Sequence, residues 1–331
     1  MLQLGYSLSS EEQTPNMLVR LAQRAEQAGF NFALISDHYH PWTSKQGQSP
    51  FVWSVIGGIA ATTERLRLGT GVTCPTMRIH PAVIAQAAAT AAAMMPGRFF
   101  IGVGTGENLN EHIIGRKWPP ATVRLEMLEE AVSVIRLLWE GGIKSHRGRY
   151  FTVENACLFT LPEEAPPIYV AAGGVKMAES AARVGDGLIT AGDEGRVIKT
   201  FNSNGGKKKP KYAQVTVCWA KTEKAARRIA HEWWPISAFP WSLLSELAIP
   251  RYFEEAAKNI TEDAVAESIE CGPDPKKHSA KIRQAAKAGA DHIYVHQAGK
   301  DQEGFFRFYE QEVLPEFGGR TVRGIAKKRA A

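Results

Sequence analysis

The 331 residues are 44% hydrophobic and 22% charged, the proportions of an ordinary globular chain long enough for one large domain or two small ones. The 40 Lys+Arg against 34 Asp+Glu leave a net charge of +6, part of it in two clusters at 207–211 and 320–329, so the body is near neutral and lacks the spread basic face that nucleic acid requires. Four separated cysteines (Cys74, Cys157, Cys218 and Cys271) argue against a zinc site or a disulfide framework, and no stretch has the length of a membrane span or the pattern of a secretory leader; a cytoplasmic protein without a metal is expected.

Strand and helix patterns then alternate along the chain. Leu2 to Leu8 reads as a strand, and Leu18, Leu21, Ala22, Ala25 and Ala28 lie at helical spacing in Met17 to Ala28, which Gly29 ends. The second strand, Phe32 to Ile35, runs into Ser36-Asp37-His38-Tyr39-His40-Pro41-Trp42, and Phe51 to Thr63 is its helix. So many polar groups in seven residues mark a loop at a strand end, where sites are built. Leu66 to Thr73 is the third strand and Pro81 to Met94 its helix, alanine-rich and apolar nearly all round, so cover on both sides is expected.

The fourth strand, Phe99 to Val103, leads into Gly104-Thr105-Gly106-Glu107-Asn108, and a fourth helix spans Thr122 to Trp139 with Thr122 as its expected cap. Residues 141–167 carry turn signals and two β-like pieces, His146 to Tyr150 and Thr152 to Phe159, which read as a hairpin insertion. Ile168 to Ala172 and Gly187 to Thr190 are the fifth and sixth strands; the helix after the sixth is poorly specified, since 202–210 reads as a surface connection. Gln214 to Ala220 is the seventh strand, followed by the helix Glu223 to Trp233 and a second insertion at 233–273. Lys276 to Ala288 leads to the last strand, His292 to His296, and Gly304 to Leu314 closes the pattern.

This alternation predicts an α/β fold, a (β/α)8 TIM barrel occupying 1–317 with insertions after the fourth helix and after the seventh strand, and a basic tail at 318–331. Tandem doubly wound domains are the competing architecture. They would concentrate polar clusters at one switch point, whereas here such clusters follow strands two, three, four, five and eight.

Three constellations can carry chemistry. Asp37-His38 with Trp42 offers a proton carrier and a stacking indole, although a histidine braced by its neighbouring aspartate explains the pair as well. His40 reads as structural. Gly102-Val103-Gly104-Thr105-Gly106-Glu107 offers close backbone approach to a ligand and a carboxyl acid, or only a tight glycine loop; its spacing is wrong for a dinucleotide fingerprint. Ala171-Ala172-Gly173-Gly174 opens a helix whose amides suit a phosphate, or is a plain turn.

These motifs, together with Gly5-Tyr6, Gly69-Thr70-Gly71-Val72-Thr73-Cys74-Pro75-Thr76 and Pro81-Ala82-Val83-Ile84-Ala85-Gln86, resemble the luciferase-like superfamily, most nearly its branch dependent on the deazaflavin coenzyme F420 and typified by glucose-6-phosphate dehydrogenases. The resemblance runs to about Phe317 and is looser from Lys199 to Gly272. It implies hydride transfer from an alcohol carbon, chiefly that of a sugar phosphate, to F420, with His38 and Glu107 as the acid/base pair, Trp42 at the reacting centre and Glu11 as a further acidic pocket residue. It further implies that Asp37 binds the deazaflavin headgroup, that Gly71 and Val72 join through a non-prolyl cis peptide behind the ring, and that Cys74, Thr105, Gly106, Asn110, Ala172, Gly173 and Gly174 belong to the cofactor site. A homodimer built on the second and third helices is implied as well.

The chain departs from that pattern where substrate is held. In an ungapped comparison two of the family's phosphate-gripping lysines fall on Glu194 and Glu255, and an arginine falls near Ser279. Lys199, Arg251, Lys258 and Arg283 stand close by as substitute phosphate ligands, and Trp233, Trp234, Phe239 and Trp241 line a pocket or pack the second insertion. The alternative activity, on the same fold, is that of an FMN-dependent luciferase-like monooxygenase.

Overall fold

Eight short, predominantly apolar runs pair in parallel and close on themselves in a computed structural model of the chain, which describes residues 2–190 and 194–318. They are β1 (Gln3–Leu8), β2 (Phe32–Ile35), β3 (Arg67–Thr70), β4 (Phe99–Val103), β5 (Ile168–Ala172), β6 (Gly187–Thr190), β7 (Lys211–Cys218) and β8 (His292–Gln297). Each pairs with the next in sequence, and β8 pairs with β1, so no open edge is left in the ring. That closure excludes the doubly wound alternative, whose open sheet would end in two unpaired strands.

The interior is packed, with Phe100, Tyr169 and Tyr212 in mutual ring contact at 5.0–5.3 Å and Phe32, Leu34 and Ile189 around them. Gly69 makes room for this plug: a Cβ there would lie 2.0 Å from the Phe100 ring. Outside the barrel run α1 (Pro15–Ala28), α2 (Val52–Ala60), α3 (Pro81–Met94), α4 (Ala121–Trp139), α5 (Val175–Val184), α6 (Glu194–Phe201), α7 (Pro275–Ala288) and α8 (Gln302–Phe308). Apolar faces such as Leu18, Leu21, Ala22 and Ala25 of α1 bury against the strands as the periodicity requires.

Three details differ from the sequence reading. Thr122 does not cap α4; the helix starts at Ala121 after Pro120, whose fixed φ suits the approach to a helix. Residues after β6 do form a helix, α6, because Val197, Ile198 and Phe201 give the segment a buried face, and 202–206 follow it through a kink at Asn204 and Gly205. A four-residue helix, Asn108–Glu111, follows β4, and a two-residue strand, Glu270–Cys271, pairs with the end of β7. Among the described residues nothing covers the face of α3 turned from the barrel: Val83 is 53% and Met94 46% exposed.

The first insertion is an antiparallel hairpin of Lys144–Arg147 and Thr152–Ala156. The second is helical and folds over the barrel mouth, with Trp234, Ile236, Phe239, Trp241 and Leu244 facing the cavity described next. Residues 319–331, most of the basic tail, lie outside the described residues.

Candidate active site

The carboxyl ends of the strands open onto a cavity of about 500 Å³. Its catalytic candidates are positioned from three loops. After β1, Glu11 is held by Ser9 Oγ at 2.9 Å and Ser36 Oγ at 2.8 Å, both donating to Oε2. Its other oxygen stands 3.1 Å from Nδ1 of His38, a contact without the alignment of a hydrogen bond. His38 is therefore braced by Glu11 and not by the adjacent aspartate. The Trp42 ring meets the imidazole edge to face at 5.0 Å and is in turn backed by Phe253 at 5.3 Å.

Glu107 enters from the loop after β4, just before the short helix Asn108–Glu111. Asn110 ties this loop to that of His38: its Nδ2 donates to Glu107 Oε2 at 3.2 Å, and its Oδ1 accepts from the backbone N–H groups of Tyr39 and His40 at 2.9 and 3.2 Å. One amide thus fixes the two acid/base candidates in a common frame.

Beneath them lies a buried charge cluster. Asp37 accepts from Thr73 Oγ1 at 2.8 Å and from Arg78 Nη2 at 2.9 Å, so both carboxylate oxygens are engaged within the protein. The Arg78 backbone N–H donates to Glu111 Oε2 at 2.7 Å, and its Nε lies 3.6 Å from Glu111 Oε1. Burial pushes the Glu111 carboxyl up to about 7, with the Arg78 charge opposing and the Glu107 and Asp37 charges adding to the rise. Arg78 is held above its usual range because its two carboxylate neighbours outweigh burial. Burial likewise raises the Cys74 thiol, which is hydrogen-bonded to Thr76 at 3.0 Å.

Of the residues singled out from the sequence, His38, Glu107, Trp42, Glu11, Gly71, Val72, Thr105, Gly106 and Gly173 line the cavity. Asp37, Cys74 and Asn110 stand behind its wall, and at β5 it is Ala171 rather than Ala172 that faces inward. None of the four proposed phosphate ligands lines it. Lys258 pairs with Glu255 on the surface, Arg283 pairs with Glu316 and covers Phe317, and Lys199 and Arg251 lie away from the lining. Glu194 does line it. Trp234, Phe239 and Trp241 form part of the wall, while Trp233 packs beneath Lys45 and Lys300. His40 bonds through Nδ1 to the Leu109 carbonyl at 2.8 Å. The sequence reading missed Arg78, Glu111, Glu12 and His296; Ser9-Ser10-Glu11-Glu12 was the available signal for Glu12, and the others have no local pattern.

The wall suits a flat ring, and Gly173 brings it to the N-terminus of α5. Gly71–Val72 is a cis peptide on the lining, as the resemblance implied. Gly106 sits at φ +77°, and a Cβ there would meet Cys74 Sγ at 2.6 Å. A Cβ at Gly174, the residue before the ten-residue α5, would meet nothing within 4 Å.

The profile of the luciferase-like monooxygenase family matches residues 2–292. The chain is 33% identical to an F420-dependent glucose-6-phosphate dehydrogenase of Microbacterium testaceum (strain StLB037), over 96% of this chain and 98% of that protein. It is 35% identical to F420-dependent glucose-6-phosphate dehydrogenase 2 of Rhodococcus jostii (strain RHA1), over 95% and 97% of the two chains. An F420-dependent secondary alcohol dehydrogenase, solved in complex with an F420–acetone adduct, superposes with a TM-score of 0.88 at 29% identity, covering 94% of this chain and 98% of that one. Motifs in order along the chain, a closed barrel and a mouth carrying His38 and Glu107 agree with these likenesses, and the chain belongs to the luciferase-like monooxygenase family.

Proposed function

We propose that this protein is an F420-dependent dehydrogenase that oxidises an uncharged alcohol. The descriptions of its relatives support F420, and the cis Gly71–Val72 peptide, the close-packed Gly106 and the open N-terminus of α5 are in keeping with a ring and phosphate tail. F420, when bound, supplies the hydride acceptor. With Nδ1 of His38 turned toward Glu11, Nε2 is the nitrogen left to take the hydroxyl proton as the carbinol carbon gives up its hydride and becomes a carbonyl. Glu107, oriented by Asn110, gives the proton needed on the cofactor side. Trp42 closes the reacting centre against Phe253.

The observation that carries the choice of substrate is the charge of the wall: among the described residues, no lysine or arginine lines the cavity, whereas Glu11, Glu107 and Glu194 do. A phosphate dianion beside Glu11 and Glu107 meets like charge, with no lysine or arginine on the described lining to offset it. A sugar phosphate is the second reading, favoured by the descriptions of relatives at 33% and 35% identity. Reduction of F420, followed by loss of its visible absorbance against 2-propanol, glycerol, glucose and glucose 6-phosphate, separates them. Uncharged alcohols are expected to react faster; a preference for glucose 6-phosphate over glucose overturns the first reading. Tighter binding of FMN than of F420, with oxygen consumed on reduction, would place the protein among the monooxygenases.

A further inference from the structure

The turn after β1 carries two carboxylates in succession, and each meets an imidazole of the cavity wall from a different strand. Glu11 meets His38, after β2, and Glu12 meets His296, in β8. Since β2 and β8 are the two neighbours of β1, the pairs flank one turn. Glu12 is fixed at both oxygens: Oε2 lies 3.3 Å from His296 Nε2, and Oε1 accepts the Gly299 N–H at 3.1 Å. Both side chains are almost fully buried.

Opposite a carboxylate, which can only accept, Nε2 of His296 is the ring nitrogen that donates, and in the neutral ring Nδ1 then keeps its lone pair. That Nδ1 is buried and has no partner among the described residues. Trp234 packs edge to face on the ring at 4.5 Å, and Trp234 Nε1 and Ser237 Oγ are buried without partners too. All three residues line the cavity. Unmade hydrogen bonds on buried groups are destabilising, and a wall that had only to pack would carry apolar groups here.

We propose that His296, Trp234 and Ser237 form a second anchoring point for the substrate, taking an uncharged hydroxyl other than the one oxidised. The inference rests on the dehydrogenase reading and extends it to a substrate class, diols and polyols. A hydroxyl donates to Nδ1 and accepts from the indole N–H or Ser237. A phosphate oxygen only accepts, and it meets the Nδ1 lone pair with the Glu12 carboxylate behind it. Trp234 packs on the imidazole from the insertion and not from a barrel strand.

Two conservative variants on different elements test this. Trp234→Phe removes the indole donor. In Glu12→Gln the carbonyl keeps the Gly299 bond while the amide donates to Nε2, so the ring proton moves to Nδ1 and the acceptor becomes a donor. F420-loaded protein is titrated with 1,2-propanediol and with 2-propanol by intrinsic fluorescence, and F420 reduction is measured with both. The wild type is expected to bind the diol about tenfold more tightly than 2-propanol, and each variant to lose that advantage in dissociation constant and in KM with a smaller change in kcat. Equal binding of the two alcohols by the wild type, or equal weakening of both in the variants, overturns the proposal. If neither alcohol is oxidised, the dehydrogenase reading fails, and the titration alone still decides on the anchoring point.

Discussion

His38 owes its place to neighbours that are remote in sequence: Glu11 beside Nδ1, Trp42 on its face, and Asn110 holding the backbone just beyond it. If it moves the substrate proton, His38→Ala lowers turnover about 10²- to 10⁴-fold and leaves the F420 dissociation constant nearly unchanged. Glu107→Gln, which keeps the shape but has no acidic proton, follows the same pattern. Rapid-mixing turnover and F420 titration check both, and near-normal turnover in His38→Ala removes it from the mechanism. Glu111 makes a different prediction, through stability. Its carboxyl is raised to about 7, so between the ordinary carboxyl range and pH 7 the folded protein holds a proton that the unfolded chain has released. Stability therefore falls as pH rises through this window, by on the order of 3 kcal/mol from this group, and levels off above it. Glu111→Gln should flatten the fall, as read by urea denaturation at pH 5 and pH 8; an unchanged slope would assign it to other groups.

Among the elements, the short helix Asn108–Glu111 does the most to assemble the site. It presents Glu107 to the cavity, Asn110 to the β2 loop and Glu111 to Arg78. The hairpin insertion is tied down just as locally. Glu130 of α4 accepts the backbone N–H groups of Arg149, Tyr150 and Phe151 and faces His146 at 3.2 Å. Burial acts to raise its carboxyl, but those amides and His146 hold it below the usual range, so this anchoring is present above the ordinary carboxyl pKa and is lost as the pH falls through the lowered one. Glu130→Gln is expected to cost ~1–2 kcal/mol and to speed amide exchange in Lys144–Arg147 and Thr152–Ala156 while the barrel strands keep their protection. Uniform loss of protection would mean that the hairpin and the barrel open together.

For the whole molecule, the open face of α2 and α3 is the feature that a single chain leaves unfinished. Phe51, Val83 and Met94 are 56%, 53% and 46% exposed along a shallow groove that also includes Trp53 and Ala87. A two-fold pairing through this face is the expected assembly, since it would bury those side chains against their own copies. Light scattering at micromolar concentration should give a dimer for the wild type and a monomer for Val83→Glu, which places a charge in the middle of the face. A monomeric wild type refutes the pairing.

The sequence by itself determined the barrel. Strands β2, β4, β5 and β6 were legible to the residue, because strands covered on both faces are continuous apolar runs between glycine and proline punctuation. The loop motifs were legible too, since chemistry at a strand end is written in adjacent residues. Partnership was not. Nothing near Asp37 in the chain announces its bond to Arg78, 41 residues away, and Glu12 meets a histidine 284 residues away. The four surface cations were read as a phosphate grip because they lie near the right places in the chain, but none of them lines the cavity, Lys258 and Arg283 pair with Glu255 and Glu316, and Glu194 lies on the lining instead. Local periodicity records which face of an element is buried. Which charge meets which across the mouth is decided only when β8 closes on β1 and brings loops from opposite ends of the chain to one wall.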